Sequence, residues 1–201
     1  MTTDTSAVRA AKPDQSAVPV GDWRVDPVRS HASFTARVAG RSVRGRLPLS
    51  GAAIVTASVE DSAAHLTAMT SEVSTGNRML DRLLAGPGFL DVEDHPEINF
   101  RTQMLVCVPT GWRAIGHLQV KGADHPIVCE LDADLRHPKP GEAGVTLTGR
   151  WVLDSTWITS QRIPAMSRRV PMSCSVVLAR PIEDADSELA PAHTWLCRRC
   201  D

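Results

Sequence analysis

The chain has 201 residues, 42% hydrophobic and 22% charged, which is enough for one domain with a substantial core. Its formal net charge of -1 offers no overall attraction to a polyanion, so nucleic-acid binding is not expected, and Arg41, Arg44 and Arg46 read as a solvated strand face. No stretch approaches the ~18 consecutive apolar residues of a membrane span.

Residues 1–20 are rich in Ala, Ser, Thr, Asp and Pro and lack the apolar centre of a secretory signal. They are expected to be a disordered leader on a cytoplasmic protein. From Trp23 to Pro181 the sequence becomes a series of alternating runs broken by turn signals, and residues 21–181 are taken as the folded domain. In HASFTARV the residues Ala32, Phe34, Ala36 and Val38 share one face, as period two requires of a half-buried strand. VRGRLPLSG and the stretch from His65 to Met69 supply weaker strands.

The next segment, STGNRMLDRLLAGPG, changes period. Ser74 or Thr75 can cap a helix on which Met79, Leu80, Leu83 and Leu84 share one face, and Gly86-Pro87-Gly88 ends it. A short amphipathic helix is not stable alone, so its leucines must cover something apolar that the strands leave open. The mouth of a barrel is such a place. The helix is then either a lid that completes the core or a lid over a lipid cavity, and its pattern alone leaves both open.

After Phe89 and an acidic turn, alternation returns. Ile98, Phe100, Thr102, Met104, Val106 and Val108 occupy same-parity positions over about 30 Å at ~3.3 Å per residue. A Pro-Thr-Gly turn leads to Trp112, Ala114, Gly116, Leu118 and Val120. Ile127, Cys129, Leu131, Ala133 and Leu135 follow, then Val145, Leu147, Gly149, Trp151 and Leu153, and finally Val170, Met172, Cys174, Val176 and Leu178. Register places Phe34, Phe100, Met104, Leu118, Leu131, Trp151 and Val176 inward. About eight antiparallel strands with one apolar face must stack as two sheets or close into a barrel, and both remain possible on periodicity.

Residues 182–201 read as a tail. The cysteine count is odd, and Cys107, Cys129 and Cys174 fall on apolar faces as small hydrophobes. His193, Cys197 and Cys200 lack the second half-motif of a structural zinc site, so no metal is expected. There is no nucleophile elbow, HExxH, phosphate loop or dinucleotide fingerprint, and the histidines are scattered. Binding is therefore expected rather than catalysis, with no cofactor.

Taken in order, four motifs resemble the YceI family, the lipocalin-like polyisoprenoid-binding proteins. Trp23, Asp26, Ser30 and Phe34 match the opening, and Gly45 and Gly51 follow; Thr75, Asn77, Asp81, Leu84, Phe89, Pro96, Ile98 and Phe100 match the helix and its following strand; Gly116, Leu118 and Gly122 match a later hairpin. Where the family has Arg-Asp and His-Leu in the helix, this chain has Leu80-Asp81 and Leu83-Leu84, so two polar positions are leucine.

The resemblance implies an all-β fold, an extended eight-stranded antiparallel barrel with one short helix over an end. Its interior would bind an isoprenoid lipid, a polyprenyl quinone or polyprenyl compound, for carriage or storage. Phe34, Val38, Phe89, Phe100, Met104, Trp112, Leu118, Leu131, Trp151, Met172 and Val176 would line the cavity with Leu80, Leu83 and Leu84 of the helix. Asn77 and Asp81 are the candidates for its head group, and a homodimer fits the family's habit. The alternative is a structural or regulatory interaction module whose barrel is filled by its own side chains, with Trp112, Trp151 and Met172 as the bulk.

Overall fold

In the computed structural model, residues 18–38, 40–109, 111–134, 144–159 and 166–180 are described. Strand β1 (Gly21–Val25) stops at Asp26, whose Oδ1 accepts from the backbone N–H groups of Val28 and Arg29 at 2.9 and 3.3 Å. The chain resumes as β2 (His31–Val38). At the break, the buried Ser30 hydroxyl accepts from Val177 N–H at 2.8 Å, so a side chain repairs the ladder where backbone pairing lapses. The opening motif thus bends a strand.

β3 (Arg41–Pro48) and β4 (Ser50–Val55) form a second interrupted path, and Leu49 N–H at its break donates to Ser30 O at 3.0 Å. β5 (Ala63–Met69) leads into helix α1 (Arg78–Ala85). Five longer strands follow: β6 (Glu97–Val108), β7 (Gly111–Val120), β8 (Ala123–Asp134), β9 (Gly144–Asp154) and β10 (Arg169–Ala179).

The sheet runs β1-β4-β5-β6-β7-β8-β9-β10, and β1 pairs back onto β10 at Arg24↔Ala179 and Val25↔Leu178, which closes the ring. β2 pairs with the other part of β10, and β3 with β2. With β1/β2 and β3/β4 each taken as one interrupted strand, this is the eight-stranded antiparallel barrel the resemblance implied. Closure removes the edges of β1 and β10, and the far side of β3 is met among the described residues by the single bridge Arg46↔Ser74.

Alternation sets the inside. Along β7, Trp112, Ala114, Leu118 and Val120 are buried and Arg113 is exposed, as parity predicts. Leu178 and Val120 are each 1% exposed, and burial of such aliphatic side chains stabilises a fold by about 1.5–3 kcal/mol apiece.

In β6 the register shifts between Thr102 and Met104. The extra residue of a β-bulge reverses the parity of everything after it, so Met104, expected inside, stands 44% exposed, and Leu105 takes the inward position. The helix also begins later than Ser74 or Thr75 would start it, with Asn77 as its N-cap, accepting from Met79 and Leu80 N–H at 3.0 and 3.3 Å. Cys129 and Cys174 are free, whereas Cys107 is disulfide-bonded rather than a third small hydrophobe. Val18, assigned to the leader, is buried in the core, and Trp23 Nε1 donates to Pro19 O at 3.0 Å. The rest of the leader, Leu135, and the tail with His193, Cys197 and Cys200 lie outside the described residues. Among the described residues no helix is long and apolar enough to cross a membrane.

Candidate functional site

The barrel encloses a cavity of about 320 Å³. Near one end it is lined by Val18, Val55 and Leu147; at the other it reaches Val38, Val43 and the leucines of α1. None of the described residues lining it carries a charge. The volume falls in the range of small-molecule sites, and an uncharged wall suits an apolar ligand.

Phe34, Val38, Phe89, Phe100, Trp112, Leu118, Leu131, Trp151, Met172 and Val176 all line this cavity, with Leu80, Leu83 and Leu84 from the helix. Met104 does not, because the bulge turns it outward. Parity reasoning missed Leu105 for the same reason, and it missed Leu47 and Leu49, which flank Pro48 at the break between β3 and β4.

The two head-group candidates are engaged elsewhere. Asn77 is consumed in capping α1, and Asp81 Oδ1 accepts from Thr75 N–H at 2.7 Å and Thr75 Oγ1 at 2.6 Å. Both hold the helix in place, and neither is on the cavity wall.

No residue of α1 is buried. Leu83 lines the cavity while 56% exposed, and Met79 is 84% exposed, so the apolar face straddles the boundary between cavity and solvent. Directly after it Phe89 and Leu90 are buried, and Lys121 Nζ donates to Phe89 O at 2.9 Å, which ties the segment to the β7–β8 hairpin. The helix is a lid at a mouth. A residue wholly inside a core would not leave half its surface in water.

Small residues keep space open on the wall. Cys129 of β8 and Cys174 of β10 converge over Gly149 of β9, where a Cβ would fall 2.7 Å from Cys174 Sγ and 2.8 Å from Cys129 Sγ. Hydrogen bonding with Cys174, followed by burial, pushes the Cys129 thiol far above its ordinary range, so it stays neutral.

Compared with known protein families, residues 23–176 match the YceI-like domain. No curated protein matches the chain at a significant level. Among solved structures, BcnA of Burkholderia cenocepacia superposes with a TM-score of 0.65 at 15% identity, covering 76% of this chain and 98% of that one. A polyisoprenoid binding domain from Saccharophagus degradans, implicated in plant cell wall breakdown, gives 0.60 at 14% identity over 79% of this chain and 98% of its own. The Campylobacter jejuni YCEI protein gives 0.59 at 14% identity, over 72% and 89%. At such identities the likeness to these structures is one of fold.

Proposed function

This chain belongs to the YceI-like family, and we propose that it binds an isoprenoid lipid, a polyprenyl quinone or polyprenyl compound, in its barrel and carries or stores it. The observation that carries this reading is the uncharged cavity of about 320 Å³, covered at its mouth by a helix whose apolar face is half in solvent. Each CH2 moved from water into such a wall contributes about 0.8 kcal/mol, so a tail of several isoprene units binds without a charged anchor. A lid that can lift gives a long tail a way in. The fold shared with a polyisoprenoid binding domain supports the same class of ligand.

Titrating the delipidated full-length chain with a polyprenyl quinone tests this through intrinsic fluorescence, because Trp112 and Trp151 both stand on the wall. Saturable quenching at one ligand per chain is expected. Quenching no greater than that of free tryptophan contradicts the proposal and leaves a barrel filled by its own side chains.

A further inference from the structure

The stretch from Ser30 to Val59 contains the arginines Arg37, Arg41, Arg44 and Arg46 and no Asp or Glu. All four belong to the β2–β3 hairpin, and all are exposed. β3 is also the strand at which the sheet stops closing: it pairs with β2 along one side, and on the other its backbone meets only Ser74, at Arg46. Nearer the mouth no strand among the described residues pairs with that side, so a seam runs along the wall from Arg46 to Arg41.

The other side of the seam is the segment that leads into the lid. An outer groove is lined by Arg44 and Arg46 from β3 and by Glu72, Ser74, Thr75 and Gly76 from that segment, and α1 follows with Arg78 and Arg82 exposed. Within the barrel, Val38 and Val43 of the hairpin and Leu80 and Leu83 of the helix line one cavity. Seam and lid thus meet at one apolar mouth.

Among the described residues none of Arg37, Arg41, Arg44, Arg78 and Arg82 is in an ion pair. The acid between the two helix arginines, Asp81, is bonded to Thr75, and the acidic run Asp91, Glu93 and Asp94 comes after Phe89, which is tied to the β7–β8 hairpin. Beside this uncompensated positive charge stand Met79, 84% exposed, and Leu83, 56% exposed. An exposed apolar tip flanked by arginines matches an anionic bilayer, whose phosphates take the guanidinium groups and whose acyl boundary takes the apolar side chains. A free polyanion would leave Met79 and Leu83 in water.

We propose that the barrel docks by this seam on an anionic lipid bilayer, with Arg37, Arg41, Arg44, Arg78 and Arg82 at the lipid phosphates and Met79 and Leu83 in the acyl boundary. The proposal goes beyond the carrier reading by assigning the surface at which a water-insoluble cargo is exchanged. Docking itself needs no cargo.

Flotation of the full-length protein with vesicles tests this, using phosphatidylcholine alone and phosphatidylcholine mixed with an equal part of phosphatidylglycerol. The protein should float with the mixed vesicles only, and less so as salt is raised. Arg41→Ala combined with Arg44→Ala should weaken binding on the order of 25-fold, about fivefold for each arginine, and Met79→Ser should weaken it several-fold. Arg113→Ala, at the opposite end of the barrel, should leave it unchanged. Equal binding to both kinds of vesicle would overturn the proposal, as would equal losses in the Arg113 variant or undiminished binding in either of the other two. A protein that binds neither vesicle but forms oligomers that the arginine double variant dissolves would assign the seam to a second copy of the chain and overturn bilayer docking. Since the vesicles carry no isoprenoid, failure here leaves the carrier reading to the quinone titration.

Discussion

The ring of Phe34 on β2 lies over the bare backbone of Gly45, its partner on β3, so closely that a Cβ added at Gly45 would overlap the Phe34 ring carbons. Gly45 thus provides the space in which an aromatic side chain can lie against the wall instead of crossing the cavity. Gly45→Ala should drive the ring inward, lower stability by about 1–3 kcal/mol and reduce lipid capacity. Urea denaturation and lipid content per chain check both effects. Combining it with Phe34→Leu should recover part of the stability, since residues in contact couple non-additively.

Leu83 gives a contrasting case at the mouth. Being 56% exposed, it should lose less on Leu83→Ala than the ~2–5 kcal/mol of a buried leucine, whereas Leu178→Ala, at a site 1% exposed, should show the full loss. Lipid retained per protein should nevertheless fall in Leu83→Ala, because the lid has lost apolar area. Thermal unfolding of the ligand-free forms together with lipid quantification separates the two effects. A large melting shift in Leu83→Ala with unchanged lipid retention would make the helix a plain plug.

The β6 bulge predicts opposite outcomes for neighbouring residues. Met104→Gln, on the outer surface, should change stability by no more than about 0.5 kcal/mol. Leu105→Gln, which puts an amide against the apolar cavity, should cost about 1–3 kcal/mol. Chemical denaturation of both variants checks the inverted parity.

That bulge also shows where the sequence stopped being informative. Residues 111–120 alternate over most of their length, with Arg113, His117 and Gln119 as polar markers of the outer face, so Trp112, Ala114 and Leu118 could be placed by parity. In QMLVCV, Met104 to Val108 are all apolar, so either parity fits and only the register of paired strands decides. The helix start was ambiguous for a related reason. Ser74, Thr75 and Asn77 are all capping types, but Ser74 is drawn into a backbone bridge with Arg46, and the start falls to Asn77. Which polar atoms end up without a partner, as at Trp151, is a tertiary outcome that no local pattern encodes.

Asp154 at the end of β9 links the wall to pH. Its carboxylate accepts from Thr156 N–H at 3.0 Å, Thr156 Oγ1 at 2.7 Å and Arg168 Nε at 2.9 Å, and these bonds lower its pKa from 3.8 to about 2. They fix the turn Ser155–Trp157, where Ser155 lines the cavity and Trp157 stacks on His125 at 4.2 Å. Because the folded pKa is depressed, the charge stabilises the fold above the unfolded value of 3.8, and that contribution is lost as pH falls through about 2. The stability difference between wild type and Asp154→Asn should therefore be constant above about pH 5 and shrink on acidification below about pH 4. Denaturation midpoints across that range check it.

Organic extraction of the full-length protein as purified, followed by mass spectrometry of the extract, tests the carrier claim most directly. An isoprenoid lipid is expected in the extract, approaching one molecule per chain. An extract free of lipid, from a protein that also fails to take up a polyprenyl quinone added after purification, would contradict it.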